Sequence, residues 1–197
     1  MLNQYRDIGK KVLNPISDFL VKHKVQPNYL SVFSLISAIL AAFFYIKLFV
    51  IYSALLIFLN ALFDALDGEV ARKQGLEDRK GDFVDHLIDR YSDVFIFSGI
   101  AFSLYVPIWL GLIAIIGVLL TSYLGTQAQA IDVGRVYSGF LGRADRLVLL
   151  IISSIFLALT PTEYLGFNIM EWTFIIIAIL SNLTVLQRFL YVWKKLG

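Results

Sequence analysis

Nine of the fifteen acidic residues fall between positions 64 and 93: Asp64, Asp67, Glu69, Glu77, Asp78, Asp82, Asp85, Asp89 and Asp93. At about 100° per helical residue, Asp67 lies about 60° from Asp64, with Asn60, Gly68 and Ala71 on the same face. Asp85 and Asp89 are about 40° from one another on a helix, and Gly81 and Ser92 share their face. Two adjacent helices can therefore each offer two carboxylates to one shared cavity. Four close negative charges repel unless cations sit between them. Oxygen ligands without His or Cys favour Mg2+, Mn2+ or Ca2+, and Mg2+ normally arrives with a phosphate-bearing substrate. Gly68, Ala71 and Gly81 remove bulk where a ligand or a neighbouring helix approaches. Arg72, one turn beyond Asp67, carries a planar fork suited to phosphate oxygens. The same residues also admit an ion or proton pathway, or a structural pairing of the acids with Arg72, Arg79 and Arg90.

The elements that must hold these acids are set by composition. The chain has 197 residues, 58% of them hydrophobic and 16% charged, with a net charge of +2 and a mean hydropathy of +0.75. Soluble domains carry about 25% charged residues, so a soluble fold, a disordered chain and a soluble nucleic-acid binder are all excluded. The chain has no cysteine, which removes disulfides and thiolate chemistry. Val94 to Ile131 is a 38-residue run without Asp, Glu, Lys or Arg. A spanning helix needs about 17–25 residues, so this run supplies two, broken near Pro107.

The expected fold is an all-α integral membrane protein with six transmembrane helices, at about 28–48, 51–76, 82–104, 107–131, 144–161 and 168–193. A segment at 1–24 precedes this six-helix bundle of 25–197, and together they make a single domain. Within it Leu2, Tyr5, Ile8, Val12, Ile16, Phe19 and Leu20 fall at helical spacing, interrupted by Arg6, Lys10 and Lys11. That pattern fits an amphipathic helix lying in the membrane interface, kinked or broken at Pro15. An inside N-terminus puts sixteen of the seventeen Lys and Arg on the inner side, with only Lys47 outside. Both termini, and the acidic helix ends, are then expected on the cytoplasmic face of the cell membrane.

The string Asp64-x2-Asp67-Gly68-x2-Ala71-Arg72-x8-Gly81-x3-Asp85-x3-Asp89 resembles the signature of the CDP-alcohol phosphotransferase family, with all eight fixed positions filled. Pro27-Asn28-Tyr29-Leu30-Ser31 is similar to that family's entry into the first spanning helix. The resemblance implies a homodimeric membrane transferase of phospholipid synthesis. It would move a phosphoryl-linked group from a CDP-alcohol donor, CDP-diacylglycerol or an ether-lipid analogue, to the hydroxyl of a polar acceptor, releasing CMP. By the same resemblance Asp64, Asp67, Asp85 and Asp89 hold Mg2+ or Mn2+, two ions in all, and Asp89 is also the general base. Gly68, Ala71 and Arg72 hold cytidine and diphosphate, and Asn28 and Ser31 close the nucleotide site.

A second basic group, Arg143 and Arg146, opens the fifth spanning helix, and the pair fits a clamp for an acceptor that carries its own phosphate. The positive-inside bias would place arginines in this loop as well. Arg143-Ala-Asp-Arg146 resembles a segment of the branch that makes phosphatidylinositol phosphate or its archaeal ether counterpart, which points to inositol phosphate. Tyr123 to Gln129 lacks the basic residues that branch carries there, so glycerol phosphate and serine stay open as acceptors. His86 lies about 100° from Asp85, off the acidic face, and His23 lies in the interfacial segment; neither is favoured as a base. Asp82 and Asp93 lie outside the motif and read as salt-bridged or solvated. A cation-coupled transporter is the competing class, although it would place ionisable groups near mid-membrane with access from both sides.

Overall fold

The computed structural model describes residues 6–76 and 78–197. Leu2, Tyr5 and Glu77 lie outside the described residues, as do the side chains of Arg6, Ile8, Lys10 and Val12. Among the described residues seven helices follow one another: α1 (Arg6–Lys22), α2 (Pro27–Ile46), α3 (Val50–Gln74), α4 (Arg79–Ala101), α5 (Ile108–Ala130), α6 (Arg143–Leu159) and α7 (Ile169–Leu196). A two-stranded antiparallel hairpin, β1 (Glu163–Tyr164) and β2 (Phe167–Asn168), joins α6 to α7 and pairs Glu163 with Asn168. Its turn, Leu165-Gly166, has positive φ at both residues, as tight hairpins prefer. No alternation in the sequence announces so short a pair.

Each helix near the acids has an identifiable start or stop. Pro27 occupies the first turn of α2, where its missing N–H costs nothing. Gly75 ends α3 at φ 66°, a left-handed conformation that glycine adopts without strain. The Asp78 carboxylate accepts from the Gly81 N–H at 2.6 Å and caps α4, so two residues separate the stop of one acidic helix from the cap of the next. The Gly142 N–H donates to Asp145 Oδ2 at 2.9 Å at the start of α6, which fixes Arg143 and Arg146 in its first turn. Asn168 caps α7, accepting from Met170 and Glu171 N–H at 2.8 and 3.0 Å, while Glu171 accepts from the Asn168 N–H.

Among the described residues four helices, α2, α3, α5 and α7, are long and apolar enough to cross a membrane, and the chain is a multi-pass membrane protein. The other two helices of the expected six stand at the expected places. One, α4, carries the motif acids Asp85 and Asp89, and the other, α6, has 17 residues. Large apolar side chains such as Phe33, Ile36 and Phe43 on α2, and Trp109, Leu112 and Ile116 on α5, face outward, as lipid contact requires.

Helix α2 packs against both α3 and α4, α3 against α6, and α5 against α7, around a core that includes Tyr45, Ile57, Phe97, Leu150 and Phe174. Buried polar groups staple these pairs. Asn60 Nδ2 donates to the Ser34 carbonyl and hydroxyl at 3.0 and 2.8 Å, and Ser34 Oγ returns a bond to the Asn60 carbonyl. Tyr45 bonds Ser154 across the bundle.

The expected break at Pro15 is not found: α1 runs through it. The helix is held by tertiary contact, which outweighs one lost backbone bond. Leu13, Leu20 and Val21 pack against Leu66 and Val70 of α3, and Lys73 Nζ donates to Ser17 Oγ at 2.8 Å while pairing with Asp18 at 2.7 Å.

Candidate active site

The N-terminal ends of α2 and α4 and the C-terminal end of α3 line an open cavity of about 830 Å3. Asn28 and Ser31 line it from α2, Asp67, Gly68, Ala71 and Arg72 from α3, and Gly81 and Asp85 from α4. Arg79, Lys80 and Asp82 add charge from the first turn of α4. Seven of the predicted site residues thus meet around one space, although they come from three helices. Ser31 Oγ donates to Asp67 Oδ2 at 2.7 Å, which fixes the orientation of the carboxylate at the cavity wall. Arg72 reaches Glu69 at 2.7 Å on the exposed side of α3. A Cβ on Gly68 would meet only Arg72 Nη1, at 3.6 Å, so the absent side chain leaves volume in the cavity and not a tight helix contact. The close helix contacts are made elsewhere: a Cβ on Gly99 would collide with Ala42, and one on Gly111 with Ala101.

Behind the cavity wall lies a second, closed region. Arg143 Nη1 is 2.7 Å from Asp64 Oδ2 and 2.6 Å from Asp89 Oδ1, and its Nε donates to Asp93 Oδ1 at 3.3 Å. Arg146 Nη2 lies 3.6 Å from the other Asp93 oxygen, and Arg90 stands 3.3 Å from Asp89 and 3.9 Å from Asp93. Charges of both signs are thereby neutralised at short range in a place with little solvent. The expected pairing of Arg143 and Arg146 on one open face is replaced by a division. Arg143 spans three carboxylates of α3 and α4, while Arg146, 2% exposed, faces Asp93. Neither arginine lines the cavity among the residues that bound it.

Asp93, read from sequence as salt-bridged or solvated, is a buried partner of arginines. His86 also departs from expectation. Its ring nitrogen and carboxylate oxygens of Asp85 and Asp89 lie within 4.8 Å of one another. A backbone angle of about 100° is bridged by the reach of the side chain. His86 Nε2 is also 3.4 Å from Asp82. Arg188, not singled out by the sequence, donates to the carbonyls of Thr121 and, at 2.8 Å, Ser138, holding the loop between α5 and α6 against α7.

The donor set fits a hard divalent cation. Carboxylates of Asp64, Asp67, Asp85 and Asp89 interact electrostatically across the α3–α4 seam, and three ligand atoms already converge at Asp85, His86 and Asp89. Such a cluster beside a cavity with Arg72, Arg79 and Lys80 on its rim suits a substrate with adjacent phosphates.

The chain is similar over its whole length to two archaetidylinositol phosphate synthases. That of Pyrococcus horikoshii is 30% identical, with 100% of this chain and 98% of the relative aligned. That of Methanothermobacter thermautotrophicus is 28% identical, with 100% and 96% aligned. The fold matches the crystal structure of Mycobacterium tuberculosis phosphatidylinositol phosphate synthase with CDP-DAG bound, with a TM-score of 0.80 over 93% of this chain and 94% of the other at 23% identity. The family model for CDP-alcohol phosphatidyltransferase matches residues 24–186. With the motif acids gathered at one cavity and this match across most of its length, the chain belongs to the CDP-alcohol phosphatidyltransferase family.

Proposed function

We propose that the protein transfers the phosphatidyl-type group of a CDP-lipid to a hydroxyl of inositol phosphate, releasing CMP. The observation that carries this reading is the meeting of Asn28, Ser31, Asp67, Gly68, Ala71, Arg72 and Asp85 around one cavity, with Asp64 and Asp89 immediately behind it. The names of the two archaeal relatives favour inositol phosphate as acceptor and an ether-lipid donor; the CDP-DAG bound to the mycobacterial enzyme favours CDP-diacylglycerol. Glycerol phosphate and serine are the competing acceptors.

In this reading Asp64, Asp67, Asp85 and Asp89 hold two divalent ions, Mg2+ or Mn2+; a crystal structure of the mycobacterial enzyme contains manganese. Bound there, the metal would neutralise diphosphate charge and polarise the phosphoryl oxygens. Ser31 fixes the orientation of Asp67. Gly68 and Ala71 leave room for the nucleotide, Arg72 pairs with a phosphate oxygen, and Asn28 closes the mouth from α2. The acceptor oxygen forms a bond to the lipid-bearing phosphorus as that phosphorus breaks its bond to the bridging oxygen. CMP leaves with the electron pair, and the hydroxyl proton passes to Asp89, a transfer worth about 10²–10⁴-fold in rate. Arg143, adjacent to Asp89, draws the acceptor's phosphate towards that base, with Arg146 behind it.

Six spans within one domain of 1–197 are part of the same proposal, with α1 in the interface, both termini and the cavity on the cytoplasmic side, and a homodimer as the assembly. The test is CMP release by purified protein in detergent, with CDP-diacylglycerol or its ether analogue, Mg2+ or Mn2+, and inositol phosphate, glycerol phosphate or serine. CMP that depends on inositol phosphate and disappears with EDTA is the expected result. CMP with another acceptor only would reassign the alcohol.

A further inference from the structure

Asp93 lies one turn beyond Asp89 on α4, 2% exposed, and outside the family motif. Its two oxygens divide between two arginines of the first turn of α6: Oδ1 accepts from Arg143 Nε at 3.3 Å, and Oδ2 lies 3.6 Å from Arg146 Nη2. Arg90, from its own helix, stands at 3.9 Å. No substrate role fits a carboxylate so enclosed. Its geometry instead bears on what Arg143 does at its other edge, where Nη1 reaches Asp64 and Asp89 at 2.7 and 2.6 Å.

A guanidinium is planar, so fixing its Nε edge on one acid fixes the direction in which its Nη groups project. The long arginine side chain otherwise has many rotamers; Asp64 and Asp89 draw its Nη edge into the α3–α4 seam, and Asp93 alone holds the Nε edge that sets the plane. We propose that Asp93 is a positioning residue. It holds Arg143 by the Nε edge, and Arg146 beside it, so that the Nη edge of Arg143 stays against Asp89 where the acceptor's phosphate is bound. The inference rests on the reading of Asp89 as base and Arg143 as acceptor ligand. It adds that acceptor affinity is set by a residue that touches neither substrate.

The experiment is a double-mutant cycle on Asp93→Asn and Arg143→Ala, read as kcat and KM for inositol phosphate and, separately, as the Kd for CDP-lipid. Asp93→Asn is expected to lower kcat/KM for the acceptor by about 10–100-fold, mainly through KM, because a misdirected ligand group acts at a distance from the chemistry. The donor Kd should stay within about twofold, because the donor cavity borders neither residue. In the Arg143→Ala background the same change should cost less than about threefold, because the group through which Asp93 acts is already gone. Asp93→Glu, which keeps the charge, should recover part of the loss. Equal losses in both backgrounds, or a donor Kd that weakens in parallel, would show general structural support and overturn the proposal. Should Asp93→Asn alone not fold, the double variant is compared with Arg143→Ala, and a further drop of about tenfold overturns it. A wild-type protein that releases no CMP with inositol phosphate overturns the acceptor reading and this inference together. An active wild type with an indifferent Asp93 overturns this inference alone.

Discussion

The donor cavity and the closed cluster behind it are built from the same residue types and solve opposite problems. Around the cavity, Arg72 pairs with Glu69, Asp78 with the Gly81 N–H and Asp82 with His86, each within its own helix or cap, beside Arg79 and Lys80, and Gly68, Ala71 and Gly81 withhold side-chain volume. In the cluster, Arg143, Arg146 and Arg90 are set directly against Asp64, Asp89 and Asp93. Charge that must meet an incoming ligand is held only by short local pairs within one helix, which solvent weakens and a ligand can displace. Charge that must hold a geometry is paired at once, because a buried ion without a partner costs several kcal/mol. Asp64 and Asp89 belong to both regions, sharing the motif of the first and the arginine of the second. The reaction is therefore expected at the seam, where a mobile substrate would meet Asp89, the proposed base.

The largest expected effect sits on that seam. Asp89→Asn keeps shape and removes the proposed proton acceptor, so turnover should fall by about 10²–10⁴-fold while CDP-lipid binding stays measurable by titration. Full activity in this variant would dissolve the distinction between the regions, since the base would then lie on the cavity side. Next is the double variant Arg143→Ala, Arg146→Ala, which leaves Asp93 buried without two of its cations. Loss of buried partners costs about 3–5 kcal/mol, so thermal stability in detergent should drop. In the protein that survives, KM for a phosphorylated acceptor should rise more than KM for the donor. A rise confined to the donor would place the arginines with the cavity instead.

A matched pair of glycine changes sharpens the contrast further. Gly99→Ala forces a methyl into Ala42 of α2, and overpacking of this kind costs about 1–3 kcal/mol. Gly68→Ala meets nothing closer than a flexible Arg72 terminus at 3.6 Å, so stability should hold while donor affinity weakens. If Gly68→Ala instead lowered the melting temperature as far as Gly99→Ala, the cavity glycine would be a packing glycine after all.

The cavity was the legible region. Helical spacing puts Asp64 with Asp67 and Asp85 with Asp89, of which Asp67 and Asp85 line the cavity, and uncharged runs of helical length mark the bundle. The nucleotide roles of Asn28, Ser31, Gly68, Ala71 and Arg72 come through the family resemblance. The partners of Arg143 were not legible. Its contacts reach back 79 residues to Asp64, 54 to Asp89 and 50 to Asp93, and they exist only because α6 packs on α3. The burial of Asp93 has the same origin: nothing in its neighbours Ser92 and Val94 separates a solvated helix face from one covered by α6. His86 escaped for a different reason, since an angle taken at the backbone ignores the length of the ring. Tight contacts at Gly99 and Gly111 also depend on which helix arrives opposite, as does the continuation of α1 through Pro15.

The smallest expected effect tests whether α1 belongs to the site at all. Lys73 Nζ joins Asp18, Ser17 and the Asn14 carbonyl, and with them ties α1 to the last turn of α3. Asp18 is 68% exposed, so the ion pair is screened and its loss in Lys73→Met is worth about 0.2–1 kcal/mol. The apolar contact of Leu13, Leu20 and Val21 with Leu66 and Val70 remains, and a melting shift of about 1–4 °C is expected. Leu66 and Val70 alternate along α3 with Asp67 and Ala71, so any tilt of α1 would reach the cavity through the helix that carries it. A donor KM within about threefold of wild type would mean that α3 is held firmly enough by α2 and α6 to ignore that tilt. A tenfold or larger rise in donor KM, with little loss of stability, would make α1 a third part of the donor site, and a membrane-surface helix would then control entry of the CDP-lipid.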